Sequence, residues 1–337
     1  MKKTLLSLLV AAVATPAIAG DIYSTDTTKV SFSGEIDGYF ATTDIYDNTK
    51  KESVKTDPDV NMWAKVQMDA EQKITDTLTG FTSFEIEAGS WYTGTDSEAN
   101  FDDVLIGLKT ETWGVAMGEV GDLASSSDAI EKDDITNEGN YMGSAGGNHR
   151  ESDGKGFVGK ANFGPMTFVV DANTVADNDT DNTYGFSADF QHDLFSVGAS
   201  YITGEVAATG TSSAADFELF GMSASTEFKG VFLAATYADF EGVDSFGFYK
   251  TDALVKGDTL GLAASYKIEK ARLYTTYSIA DVKAMTGSDQ GDATNWVIGA
   301  DYQVAKNITA FAEYQQADAD WATEDSMTVV TGVYYAF

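Results

Sequence analysis

One pattern recurs along this chain and limits what it can become: short segments in which every second residue is apolar and the residues between are polar or charged. Lys29–Phe40 sets it out. Val30, Phe32, Gly34, Ile36, Gly38 and Phe40 fall on one face, and Lys29, Ser31, Ser33, Glu35, Asp37 and Tyr39 on the other. Successive side chains of a strand point to opposite sides, so a period of two describes a strand with one greasy and one charged face. Asn61–Lys73 repeats it, with Met62, Ala64, Val66, Met68 and Ala70 against Lys65, Gln67, Asp69 and Glu71. In Leu78–Tyr92, Phe84, Ile86 and Ala88 oppose Ser83, Glu85 and Glu87.

Followed to the end, the pattern predicts sixteen strands. The remaining thirteen are Val104–Lys109, Trp113–Val120, Phe157–Phe163, Met166–Asn173, Tyr184–Gln191, Leu194–Thr203, Phe217–Phe228, Val231–Phe240, Thr259–Lys267, Arg272–Asp281, Asn295–Val304, Ile308–Gln315 and Met327–Phe337. Their connections alternate in length. Tight ones such as Gly164-Pro165 and Lys229-Gly230 follow longer polar ones such as Ile45–Asp57, Gly121–Ser152 and Glu241–Asp258. A ring of antiparallel strands with turns at one rim and loops at the other has this alternation. Strands of about ten residues are also long enough to cross hydrocarbon at a tilt.

The charged faces decide which side meets water. Glu35, Asp37, Lys65, Glu85, Glu87, Lys160, Asp171, Asp189, Arg272, Asp301 and Glu313 all lie on one side of their strands. Buried dry and unpaired, each would cost several kcal/mol, roughly, whereas a sixteen-strand barrel is too wide for side chains to fill and holds water. Aromatics gather near strand ends (Phe40, Tyr92, Trp113, Phe163, Tyr184, Phe228, Tyr237, Trp296, Tyr314 and Tyr335), as at the two interfaces of a membrane. The predicted fold is an all-β, sixteen-stranded antiparallel transmembrane barrel. The competing architecture is a soluble sandwich with the apolar face as its core.

Composition removes other classes. The chain has 53 acidic against 21 basic residues and a formal net charge of −32, which argues against nucleic acid as a partner. Cysteine is absent and there are two histidines, so neither thiolate chemistry nor a histidine-rich metal site is available. No nucleophile–base pair stands out, and no enzyme activity, cofactor or metal is expected. Residues 1–19 read as a cleaved signal peptide, with Lys2 and Lys3, the apolar run Leu5–Ala14 and the small-residue site Ala17-Ile18-Ala19. That leaves 20–337 as one barrel domain, exported from the cytoplasm.

Gly121–Ser152 breaks the pattern. It is long, acidic and glycine-rich with no period of its own, and such loops are usually functional or disordered. It is expected to fold inward and narrow the hole, presenting Asp122, Asp128, Glu131, Asp133, Asp134 and Glu138. Lys65, Lys160, Arg150, Asp102, Asp103 and Glu85 are the candidate wall residues. Two short motifs carry less. Gly154–Gly159 fits GxGxxG but lacks the strand before and helix after that a dinucleotide site needs. Asp177-Asn178-Asp179-Thr180-Asp181 begins like a calcium loop but has Asn182 where the turn glycine belongs.

Trp63–Phe81 (WAKVQMDAEQKITDTLTGF), Leu105–Glu119 (LIGLKTETWGVAMGE) before the long third loop, and the ending VYYAF resemble the general diffusion porins of Gram-negative outer membranes. The resemblance implies a homotrimer of barrels in outer-membrane lipid and lipopolysaccharide, each constricted by its third loop and passing small hydrophilic solutes. It also implies that Val333, Tyr335 and Phe337 form the signal read by the barrel-insertion machinery. Members of that family oppose loop acids with basic wall residues. Lys65 matches a commonly basic position, whereas Asp102 and Asp103 stand where a basic residue is often found, and the chain has two arginines, Arg150 and Arg272. A cation-preferring pore is therefore expected. The alternatives are a substrate-specific channel for a sugar or an organic cation, and a non-conducting surface adhesin.

Overall fold

The computed structural model describes residues 20–47, 50–94, 96–144, 156–176, 180–206 and 214–337. The expected signal peptide, Arg150, Gly154-Lys155 and Asp177-Asn178-Asp179 lie outside the described residues. The strands are β1 (Gly20–Ser24), β2 (Thr28–Asp47), β3 (Glu52–Lys55), β4 (Asp59–Lys73), β5 (Thr79–Ser90), β6 (Asp96–Lys109), β7 (Trp113–Gly118), β8 (Gly156–Phe163) and β9 (Met166–Asn173). After them come β10 (Thr183–Gln191), β11 (Phe195–Val206), β12 (Ala215–Phe228), β13 (Val231–Phe246), β14 (Tyr249–Ile268), β15 (Ala271–Ala284), β16 (Asp289–Ala305), β17 (Ile308–Ala319) and β18 (Ser326–Ala336).

Sixteen of these close a ring. β2 pairs with β4, each strand from β4 to β17 pairs with its successor, and β18 returns to β2, always antiparallel. β1 lies along the start of β2, where β18 leaves off, and β3 extends the first loop-rim hairpin. Closure satisfies the edge groups that an open sheet would leave bare in lipid. Among the described residues, no helix is long and apolar enough to cross a membrane.

The two faces behave as the alternation predicts. Along β2, Ser31, Ser33, Asp37 and Tyr39 are buried toward the interior, while Phe32, Ile36 and Phe40 are exposed on the outside. Asp37 is 4% exposed and Phe40 52%, the reverse of a soluble core. The turn rim uses residues suited to it: Lys229 (φ 52°) and Gly230 (φ 80°) form a two-residue hairpin in which both central residues adopt the left-handed region.

Three elements depart from expectation. Glu241–Asp258 is not a polar loop. β13 and β14 run through it and leave Gly247-Phe248 as the connection. Register shifts near Gly242 (φ 81°) interrupt the period of two, which is why alternation alone misses it. Phe240, Val243, Phe246, Tyr249 and Val255 of this hairpin are buried in an interior cluster. β6 begins at Asp96 rather than Val104, masked by irregular pairing opposite Glu85 and by the positive φ of Asp103 (49°). Tyr92, expected at the lipid interface, turns inward instead and packs 6.3 Å from the Tyr39 ring.

The chain's end is tied to its beginning. Phe337 and Gly34 exchange two backbone hydrogen bonds of 2.9 Å, and the Phe337 ring lies over Gly34, 6.4 Å from Phe32 and 6.0 Å from Tyr335. Val333 and Tyr335 face outward, exposed. A Cβ at Gly34 would meet both that ring and the Lys65 carbonyl. Gly34→Val should therefore destabilise the barrel by about 1–3 kcal/mol, measured as a lower urea midpoint for protein refolded in detergent micelles, with Gly34→Ala intermediate.

Candidate functional site

The third loop-rim connection leaves β7 at Gly118 and turns into the barrel. Val120 and Ala124 bury against Leu105, Ala116, Val158 and Val169 on the inner faces of β6 to β9. The loop then makes a 3-10 turn, Ser127–Ile130, and beds against the wall at positions that lack side chains. Ser126 meets Gly185 on β10, the Ala129 carbonyl meets Gly198 on β11, and Ile130 meets Gly221 on β12. Any Cβ at these three glycines would occupy space the loop already fills.

Polar contacts then hold the loop strand by strand around the wall. The Ser126 N–H donates to Asp171 on β9 at 2.5 Å, and Lys132 pairs with Asp189 on β10. Thr236 on β13 donates to Asp133, as does the Tyr141 hydroxyl at 2.9 Å. The Thr259 hydroxyl on β14 donates to the Gly143 carbonyl at 2.7 Å. Arg272 on β15 is a junction. It pairs with Asp301 at 2.6 Å, donates to the Ile135 carbonyl at 3.0 Å and reaches Asn137 at 3.4 Å. Glu313 on β17 accepts the N–H groups of Asn137 and Glu138 at 2.6 and 2.8 Å and the Tyr274 hydroxyl at 2.5 Å. Glu138 finally accepts from Tyr334 on β18 at 2.6 Å. The loop thus follows the inner wall from β9 to β18.

The expected loop acids take different roles. Asp133 is 2% exposed and serves as an anchor rather than a charge offered to the bore; burial raises its carboxyl, and the Thr236 and Tyr141 hydroxyls pull it back. Its neighbour Asp134 is exposed to the bore. Enclosure by the barrel, then Glu131, Asp133 and Glu313, shift Asp134 upward, although the water it touches limits how far that shift goes. Asp128 accepts the Ser125 N–H at 3.1 Å, and Glu131 accepts from Ser144 at 3.5 Å. Asp122 is exposed and brings its carboxyl to that of Asp103.

The opposite wall is mostly acidic. Glu35 and Asp37 of β2, Glu85 and Glu87 of β5 and Asp102 and Asp103 of β6 surround Lys65. Lys65 is itself engaged, with Glu85 3.1 Å away. Lys160 lies on the inward face of β8, among the strands nearer the loop's origin. Parity put Arg272, Asp171, Asp189 and Glu313 inside the barrel; only the path of the loop makes them its fastenings.

Glu138 sits where the loop meets β18, and burial raises its carboxyl to about 7, with Glu313 adding to the shift and the Tyr334 and Tyr39 hydroxyls opposing it. A carboxyl raised above its unfolded value favours the folded loop when protonated. That stabilisation is complete below the ordinary carboxylate value and is lost as pH rises through about 7. The charge presented to ions runs the other way and disappears as pH falls through the same range. The cation-to-anion permeability ratio read from reversal potentials should be lower at pH 5 than at pH 8, and Glu138→Gln should flatten part of that difference.

A ring of sixteen strands, greasy outside and charged inside, with its third loop folded across the bore, defines a water-filled diffusion channel. The Gram-negative porin family model matches residues 6–322, and the chain belongs to that family, as an outer-membrane porin for passive diffusion. It is 26% identical over 350 residues to the outer membrane porin protein OmpD of Citrobacter koseri, covering 92% of this chain and 91% of that one. The trimer form of OmpT, an outer membrane protein of Vibrio cholerae, superposes with a TM-score of 0.70 at 16% identity over 93% of this chain and all of that one. An anion-selective porin from Comamonas acidovorans does so with a TM-score of 0.69 at 16% identity over 92% of this chain and all of that one.

Removing the Arg272 junction tests the fastening. Arg272→Ala leaves Asp301 buried without its cation and should cost about 3–5 kcal/mol of local stability. Faster amide exchange over Ile135–Gly139, with the strand amides still protected, is the expected readout.

Proposed function

We propose that this porin prefers cations and works as a homotrimer, exported by the segment Met1–Ala19 and inserted through recognition of Val333, Tyr335 and Phe337. The observation that carries the preference is the charge on both banks of the bore. Asp122, Asp134 and Glu138 stand on the loop, and on the wall Glu35, Asp37, Glu85, Glu87, Asp102 and Asp103 outnumber Lys65. Where one bank is basic, a transverse field arises. Where both are acidic, the potential is negative throughout, so cations concentrate and anions are repelled. The fold does not choose between these, since one structural neighbour is described as anion-selective. Support for the trimer comes from the Vibrio cholerae protein of the same fold in its trimer form. Lipid and lipopolysaccharide would surround the exposed apolar bands, and small hydrophilic solutes would cross with the ions.

Asp134 is the loop acid to reverse, because Asp133 is an anchor. Asp134→Lys should lower the cation preference read from reversal potentials in a KCl gradient across a planar bilayer. The reduction should be larger near 0.01 M, where the screening length is roughly 30 Å, than near 1 M, where it is roughly 3 Å. Anion preference in the unaltered protein would refute the reading.

A further inference from the structure

Aromatic rings inside a watery bore call for an explanation, and here they gather on one patch. Trp63 of β4 and Trp91, just past β5, stack with centroids 4.5 Å apart and planes 26° from parallel. Tyr39 of β2 lies 6.3 Å from Trp91, with Tyr92 and Tyr334 at 6.3 and 6.4 Å. Trp63 and Tyr39 are almost fully buried, whereas Trp91 is 39% exposed. The stack therefore has a buried side and an open ring.

Carboxylates edge this patch. Asp37, 4% exposed, accepts the Tyr39 hydroxyl on Oδ2 at 3.2 Å, while its Oδ1 is buried with no hydrogen-bond partner. Glu138 accepts the Tyr334 hydroxyl at 2.6 Å. Both hydroxyls donate to these acids, and the Asp37 Oδ1 is left as a buried acceptor without a donor. One cation already uses the patch: the Lys65 ammonium sits 5.8 Å from the centroid of the Trp63 ring.

We propose that this patch is a binding subsite for ring-bearing organic cations, in which a flat hydrophobic ring lies on Trp91 and its attached ammonium is drawn to Asp37 and Glu138. The subsite rests on the cation-preferring pore inferred above and names the solutes that pore would retain. Ring faces carry negative charge density that attracts a cation, and the Asp37 and Glu138 carboxyls beside them suit a positively charged guest. An anion would meet the carboxylates.

The test uses the full mature porin in planar bilayers, with benzyltrimethylammonium as the probe and blockade read as the fraction of each variant's own open-channel current. Benzyltrimethylammonium is expected to block at concentrations where tetramethylammonium, which has the charge without the ring, and maltose do not. Trp91→Ala should weaken the block about tenfold, Trp91→Phe should retain most of it, and Trp113→Ala, on the lipid face, should leave it intact. Equal block by tetramethylammonium, equal block by maltose, or an unchanged block in Trp91→Ala would each overturn the subsite. Cation-selective reversal potentials without ring-dependent block would overturn the subsite alone, and anion-selective ones would overturn the pore reading with it.

Discussion

The structure depends on hydrogen-bond closure in a solvent that offers no hydrogen bonds. In hydrocarbon an unpaired backbone group costs several kcal/mol, roughly, so a strand can cross only if both of its edges are paired. The pairing of β18 with β2 meets that condition. Once a ring of sixteen has closed, its interior is too wide to fill with side chains and must admit water. The exposed Phe40 and Ile106 and the interior Asp37 and Glu313 follow from the same closure.

A wet bore explains how the chain tolerates so many inward charges, and also why they are sorted. Where the loop presses against the wall, carboxylates lose water and are given partners: Asp133 takes two hydroxyls, Glu313 takes two backbone N–H groups and a tyrosine, and Asp301 takes a guanidinium. Where the bore stays open, as at Asp122 and Asp134, the acids keep water and remain available to ions. Burial makes Asp133 a fastening, while its sequence neighbour Asp134 stays exposed.

The ring was largely readable from the chain because a strand with one face in lipid and the other in water writes its geometry into alternate residues. Lys65, Glu85 and Arg272 could be assigned to the interior by parity alone. Reading failed where the period did. Bulges at Gly242 and beside Asp103 concealed the β13–β14 hairpin and the start of β6. Parity puts Tyr92 on the outer face of Leu78–Tyr92, but the positive φ of Gly89 (119°) and the end of β5 at Ser90 break that count. Within the loop, adjacent Asp133 and Asp134 look alike in sequence. Their fates depend on Thr236, more than a hundred residues away.

The bed of Gly185, Gly198 and Gly221 has one more consequence. A slip of one residue in the pairing of β10, β11 or β12 would turn large neighbours such as Phe186, Val197 or Phe220 toward the loop. The segment Ser126–Ile130 would then have nowhere to lie. The loop can seat only on a correctly threaded barrel, so it doubles as a gauge of assembly: a misregistered barrel would leave it undocked and open to proteolysis.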